Sequence, residues 1–268
     1  GLILHDVLPA PPASTPVVAP RVVASVPLEW SAVRSESGVS LSGKLPDEAA
    51  RANILAAARG LLGGTTVDDR MAVEPALRSD LDLKASATFA LEALSKLRTG
   101  SVSIRDKAFA IAGELADAAN LAALRDLLAR GAPAGLTLAA MPDSVVVRPY
   151  GLSLSTDRTG LRLSGYLPDQ ATQAALGAQI ADSPLKGRFE DATIVVPGSP
   201  AGFVEAARAV VADLLRLDLG SASVVDDQVM LRGLTCRELI KSEIETNAAT
   251  GLPQGFKVDA VISLRQTG

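Results

Sequence analysis

The chain repeats itself, and that limits its folds more than any other property of the sequence. Gly38-Val-Ser-Leu-Ser-Gly43-Lys-Leu-Pro-Asp47-Glu-Ala returns 122 residues later as Gly160-Leu-Arg-Leu-Ser-Gly165-Tyr-Leu-Pro-Asp169-Gln-Ala. The same offset aligns Val67-Asp68-Asp69 and Pro75 with Phe189-Glu190-Asp191 and Pro197. A match that includes both apolar and turn positions means two duplicated halves, each with its own version of one fold. Weaker copies lie inside each half. Phe109-Ala-Ile-Ala-Gly113-Glu-Leu-Ala-Asp117 and Val229-Met-Leu-Arg-Gly233-Leu-Thr keep the strand and its glycine. Gly113 and Gly233 are 120 residues apart, as are Gly100 and Gly220, and Pro133 and Pro253. Four related modules in two tandem pairs account for these matches.

The order of elements is clearest in the second module. Phe89, Ala90, Ala93, Leu94 and Leu97 recur at helical spacing within residues 84 to 98. Residues 101 to 105 and 108 to 112 alternate about the polar Arg105-Asp106-Lys107 and predict a hairpin. Leu121, Leu124, Leu127 and Leu128 predict a helix over 117 to 129, with Asp117 placed to cap its first turn. Gly135-Leu-Thr-Leu-Ala reads as a short final strand, which completes an α-β-β-α-β order. The first module lacks a leading helix because prolines occupy its place, and residues 75 to 98 and 200 to 217 supply longer helices between modules. The expected fold class is α+β, each half a pair of small sheets with helices on one face. The boundaries read as a spacer at 1–25 and modules at 26–76, 77–147, 148–198 and 199–268.

The recurring glycines, Gly43, Gly113, Gly165 and Gly233, are read as structural. A strand that turns into a helix there needs positive φ or close backbone approach, which a residue without Cβ permits. In modules one and three the following Leu-Pro-Asp fixes φ and then supplies a cap. Modules two and four lose that proline, so they are expected to depart at this turn.

Composition removes several functions. One cysteine and one histidine exclude a Cys/His zinc site, a CxxC redox pair, an internal disulfide and a haem with two axial ligands from this chain. With 26 Lys+Arg against 30 Asp+Glu and 3% aromatic residues, the chain has the wrong charge and few stacking groups for nucleic acid. No apolar stretch approaches the length of a membrane span. Residues 8 to 20 carry five prolines and read as an extended spacer, with His5 an unstructured terminal residue ahead of it. No cofactor is expected.

Motifs that carry chemistry are scarce. The sequence has no Gly-x-Ser-x-Gly elbow, GxxxxGK loop or GxGxxG fingerprint. Ser183-Pro-Leu-Lys186 fits the Ser-x-x-Lys pattern, but the companion Lys-Thr-Gly is absent and a plain loop is the better reading. Gly60-Leu-Leu-Gly63 fits a GXXG nucleic-acid clamp, yet a strand and Asp68-Asp69 follow it. The acidic pairs Asp68-Asp69, Glu190-Asp191 and Asp226-Asp227 are adjacent residues, which on a strand point to opposite faces and do not converge on an ion. No metal site and no catalytic site are predicted. Cys236 precedes the helix of module four. It reads as a buried small residue or as a half-cystine whose mate lies outside the chain, with a reactive thiol as the alternative.

The duplicated Val/Leu-x-Leu-Ser-Gly-x-Leu-Pro-Asp-x-Ala, followed by an alanine-rich helix and a short strand, resembles the BON domain, a small α-β-β-α-β envelope module. The resemblance covers residues 26 to 265 and is closest in modules one and three. Tandem BON modules imply a periplasmic or membrane-associated protein that binds phospholipid surfaces or maintains the envelope. The array also resembles the region ahead of a peptidoglycan-binding OmpA-like domain in outer-membrane family proteins. That domain and any membrane attachment are expected beyond Gly268 or before Gly1. The expectation is a non-enzymatic binding or spacer unit, with anionic phospholipid, envelope proteins or its own copies as partners. A purely structural stalk or oligomerisation unit is the alternative, and an enzyme of unknown type a more distant one. Lys96, Arg98, Arg105 and Lys107 are the candidate lipid-binding patch; helix-dipole compensation and a solvated hairpin tip are the bland account of the same residues.

Overall fold

The computed structural model describes residues 1, 9–17, 26–139, 141–157, 159–183 and 188–266, so that His5 and Lys186 lie outside the described residues. The first half begins with the hairpin β1 (Glu29–Ser35) and β2 (Gly38–Leu45), then α1 (Glu48–Leu61) and β3 (Thr66–Val73). Helix α2 (Leu83–Lys96) leads into β4 (Thr99–Arg105), β5 (Ala108–Leu115), α3 (Ala118–Ala129), β6 (Thr137–Leu138) and β7 (Val145–Val147). The second half repeats this as β8 (Gly151–Asp157), β9 (Gly160–Leu167), α4 (Gln170–Ala181), β10 (Arg188–Val195), α5 (Phe203–Leu214), β11 (Leu219–Val225), β12 (Gln228–Thr235), α6 (Glu238–Asn247) and β13 (Lys257–Leu264). The repeating unit is β-β-α-β. Among the described residues the leading helix appears only as α2 and α5, ahead of modules two and four.

Each half forms one continuous sheet where sequence reading expects a pair of small ones. The strand order is β3-β2-β1-β4-β5-β6, with β7 also on β5, and β10-β9-β8-β11-β12-β13 in the second half. The first strands of paired modules join the sheets. β1 pairs antiparallel with β4, and β8 with β11. An isolated β-β-α-β unit would leave its first strand as an open edge of unpaired backbone groups, and pairing two such strands removes both edges. Counterpart residues meet at the centre of each seam: Ala32 lies opposite Val102, and Leu154 opposite Ala222. Each half is thus two modules related by a local pseudo-twofold axis.

Alternation along the strands sorts the two faces. Trp30, Ala32, Val39, Leu41, Val102, Ile104, Phe109 and Ile111 are buried beneath the helices, against Ile54, Phe89, Leu94 and Leu124 among others. In the second half Leu152, Leu154, Leu161, Leu163, Val229 and Leu231 do the same against Leu176, Val210 and Ile244. α2 and α5 carry the heaviest share of helix burial, because each lies in the middle of its half. Ala90, Leu91, Ala93 and Leu94 are fully buried, as are Ala206, Ala207, Val211 and Leu214.

The turn after the second strand keeps its shape without proline. Asp47, Asp117 and Asp169 occupy equivalent N-caps with φ/ψ of −157/170, −160/173 and −158/168. Their carboxylates accept from the N–H of Ala50, Asn120 and Thr172 at 2.8, 2.8 and 2.7 Å. Module two therefore matches modules one and three here, contrary to the expectation from its missing proline. The aspartate cap is enough to set the turn. Only module four departs: Arg237 stands at the N-cap with φ/ψ of −106/112 and makes no side-chain cap. The final strand of module two also differs from its sequence reading. β6 pairs with Ala108 and Phe109, the chain then leaves the sheet, and β7 returns to Gly113 to Leu115. Pro142 lies in the excursion and has no N–H to give to the ladder.

Candidate functional site

The recurrent glycine sits within its strand, two residues before the strand ends, and its role is close approach to the neighbouring strand. Gly43 has φ of +121°, and a Cβ there would meet the Glu29 carbonyl oxygen at 2.3 Å and the Trp30 Cα at 2.8 Å. Gly113 and Gly165 face the neighbouring strand's carbonyl at the same 2.3 Å. At Gly233 the nearest atom is the Leu217 side chain at 2.4 Å. The physical reason is thus backbone crowding inside the sheet, more than a turn into the helix.

The four candidate cations do not form one surface. Arg98 and Arg105 stand at opposite ends of β4, about 23 Å apart at 3.3 Å per residue. Lys96 closes α2 beside Arg98, and Arg98 is already engaged with the Glu114 carboxylate at 2.7 Å. At the other end Arg105 lies opposite Glu29, and Lys107 reaches Asp80 at only 3.8 Å. The sequence reading missed Lys44. It lies one residue beyond the Trp30–Gly43 pair, which brings it next to Glu29 and to the same end of the sheet as Arg105. Strand register alone makes that grouping, because the residues are far apart in sequence.

The face of each sheet that points away from the helices is lined by small side chains. Across β2, β1, β4 and β5 the rows read Ser42, Ser31, Ser103, Ala110 and Ser40, Val33, Ser101, Ala112. In the second half Arg162, Ser155, Ser221 and Arg232 form one row, and Ser164, Ser153, Ser223 and Met230 the next. The long side chains flank central serines there, which leaves an open depression of about 300 Å³. Arg162 and Arg232 are engaged with Glu190 and Asp259 at 3.3 and 2.6 Å, so the depression has no free charge to orient a ligand.

Other candidates resolve into local structure. Ser183 donates to the Ile180 carbonyl at 2.6 Å just past the end of α4. Gly60 lies in the last turn of α1, and β3 follows. Asp68 pairs with Arg70 and Asp69 with Arg51 at 2.7 and 2.8 Å, Asp191 accepts from Thr193, and Asp226 accepts from the Tyr150 N–H at 2.9 Å. The acidic pairs therefore serve separate partners, and among the described residues no group of three or more His, Cys, Asp or Glu converges. Cys236 is exposed, which overturns its reading as a buried residue; its N–H donates to Asp218 at 3.2 Å.

Sequence reading also missed Tyr150 at the joint between halves. It follows the cis Arg148–Pro149 bond and is fully buried, edge-on to Phe203 and Tyr166 with centroids 4.8 and 5.5 Å away. Its hydroxyl donates to the Val196 carbonyl at 2.6 Å, and burial pushes the phenol pKa well above its ordinary value. Arg148 donates to the Gly198 carbonyl at 2.8 Å, and the Tyr166 hydroxyl accepts from the Ala118 N–H at 3.4 Å across the two halves.

No helix among the described residues is long and apolar enough to cross a membrane. No curated protein matches the chain. Residues 31–75, which run from β1 to the end of β3, match the BON-like domain. That is a typically non-catalytic domain, and it points to a protein associated with the membrane or envelope.

Proposed function

We propose that this chain is a non-enzymatic cell-envelope binding and spacer unit whose paired BON-like modules face phospholipid headgroups. The observation that supports this furthest is the recurrence of one geometry. The matched segment at 31–75 contains Gly43 opposite Met71, and the same glycine-to-edge pairing recurs as Gly113 with Val145, Gly165 with Thr193 and Gly233 with Ile262. A place ahead of a peptidoglycan-binding OmpA-like domain, in the periplasm, fits the same reading and rests on the resemblance of the sequence. Within the chain, the β4–β5 hairpin tip is the better headgroup surface. Arg105 has no ion pair among the described residues and Lys107 only a long one, whereas Arg98 is neutralised by Glu114.

Flotation with phosphatidylglycerol vesicles at low salt tests the reading. Each cation near an anionic surface contributes about 1 kcal/mol, so Arg105→Glu with Lys107→Glu should weaken binding more than about tenfold. Lys96→Glu with Arg98→Glu should change it little. Failure of the wild-type chain to float at low salt would assign it to the stalk reading; equal losses for both pairs would refute the preference for the hairpin tip.

A further inference from the structure

The four modules end in edge strands that share one detail. In parallel pairing, alternate N–H groups point away from the partner strand. The inward set is marked by Glu74, Arg148, Val196 and Arg265, which donate to the carbonyls of Leu45, Leu115, Leu167 and Thr235. Met71, Val145, Thr193 and Ile262 therefore point outward, and these are the residues opposite the recurrent glycines. Each of these four N–H groups has an acceptor. Asp69 takes Met71 at 2.9 Å, the Pro142 carbonyl takes Val145 at 3.2 Å, and Asp191 takes Thr193 at 2.9 Å. These three come from within the same stretch of backbone. The fourth differs: Ile262 donates to Oε1 of Glu245 at 3.0 Å, a side chain on α6 that Lys241 holds at 2.7 Å.

β13 is also weakly guarded towards its end, as β10 is from Ala192 to Val195, where Ile194 is 55% exposed. β3 carries Asp68, Asp69 and Arg70, and β10 carries Arg188, Glu190 and Asp191. From Ala260 to Leu264, β13 has no charge, and it exposes Val261 at 50% and Leu264 at 43%. An exposed uncharged edge is a template for strand addition unless something covers it.

We propose that β13 is a pairing edge for β13 of a second copy of this chain, and that Glu245 is the removable plug that keeps it closed. The pattern of charge selects this occupant. Antiparallel pairing about Ile262 sets Asp259 opposite Arg265 of the copy twice, Ala260 opposite Leu264 and Val261 opposite Ser263. Centring on Val261 instead sets Lys257 against Arg265. Asp259 accepts from Arg232 at Oδ2, and its Oδ1 has no partner among the described residues. The chain already uses such pairing internally, counterpart against counterpart, at Ala32–Val102 and Leu154–Ala222. The inference does not rest on lipid binding.

Sedimentation equilibrium of the whole chain tests it. Glu245→Ala should dimerise at least tenfold more tightly than wild type, and Glu245→Gln should fall between them. Adding Leu264→Pro to Glu245→Ala should restore wild-type behaviour, because proline removes an outward N–H and leaves the β12 ladder intact. A folded Glu245→Ala chain with wild-type association, or a dimer that Leu264→Pro leaves as tight, overturns the proposal. Should Glu245→Ala fail to fold, Glu245→Gln carries the test through amide exchange at Ile262. Faster exchange with tighter association supports the plug; faster exchange with unchanged association refutes the pairing edge.

Discussion

Replacing single glycines by alanine separates backbone crowding from backbone strain. At Gly43 both act. Its φ of +121° lies in a region that side chains rarely adopt, which costs about 1–3 kcal/mol. A Cβ 2.3 Å from the Glu29 oxygen and 2.8 Å from the Trp30 Cα meets backbone, which cannot swing aside as a side chain does. Moving β1 by the needed amount resembles overpacking a core, another ~1–3 kcal/mol. Gly43→Ala should therefore lose about 2–6 kcal/mol, a large share of the ~5–15 kcal/mol that holds a typical domain folded. Gly131 has φ of +91° and nothing within 4 Å of its Cβ position, so Gly131→Ala should lose only the strain, about 1–3 kcal/mol. Gly60 lies in α1 with open space around it, and Gly60→Ala should gain about 0.5–1 kcal/mol. Urea unfolding followed by circular dichroism reads the series, and thermal midpoints should move by about 2–4 °C per kcal/mol. A Gly43→Ala loss no greater than that of Gly131→Ala would refute the crowding argument.

Further outcomes are expected from solution measurements. Arg237→Asp places at α6 the cap that the other three modules have and should stabilise the chain by about 1 kcal/mol, while Asp117→Ala should cost about as much in urea unfolding. Tyr150→Phe leaves the buried Val196 carbonyl without its donor and should cost about 1–3 kcal/mol. Because burial raises the phenol pKa in the folded state, the fold favours the protonated form. That contribution is complete below the unfolded value near about 10 and is lost as pH rises above it. Wild type should thus lose stability at alkaline pH more steeply than Tyr150→Phe, and parallel curves would count against the buried phenol as the cause.

Local pattern carried the repeat, the hairpins, the helices and their caps. Gly43, Asp47, Asp117 and Asp169 announce themselves because a cap and a glycine are properties of a few consecutive residues. The seams Ala32–Val102 and Leu154–Ala222 could not be read this way, since which edges meet depends on what else each strand could pair with. The proline rule at the glycine-to-helix turn misled for module two because the cap at Asp117 satisfies the same backbone without it. The candidate site divides along the same line. Lys96, Arg98, Arg105 and Lys107 look contiguous in a sequence, yet an extended strand moves residues about 3.3 Å apart per step and carries them to opposite ends of a sheet. Lys44 near Arg105, Tyr150 beneath Val196 and Glu245 on the N–H of Ile262 are products of register and packing, and no local periodicity encodes them. Spacing along the chain specifies which face a side chain takes, whereas the company it keeps there is decided by long-range pairing.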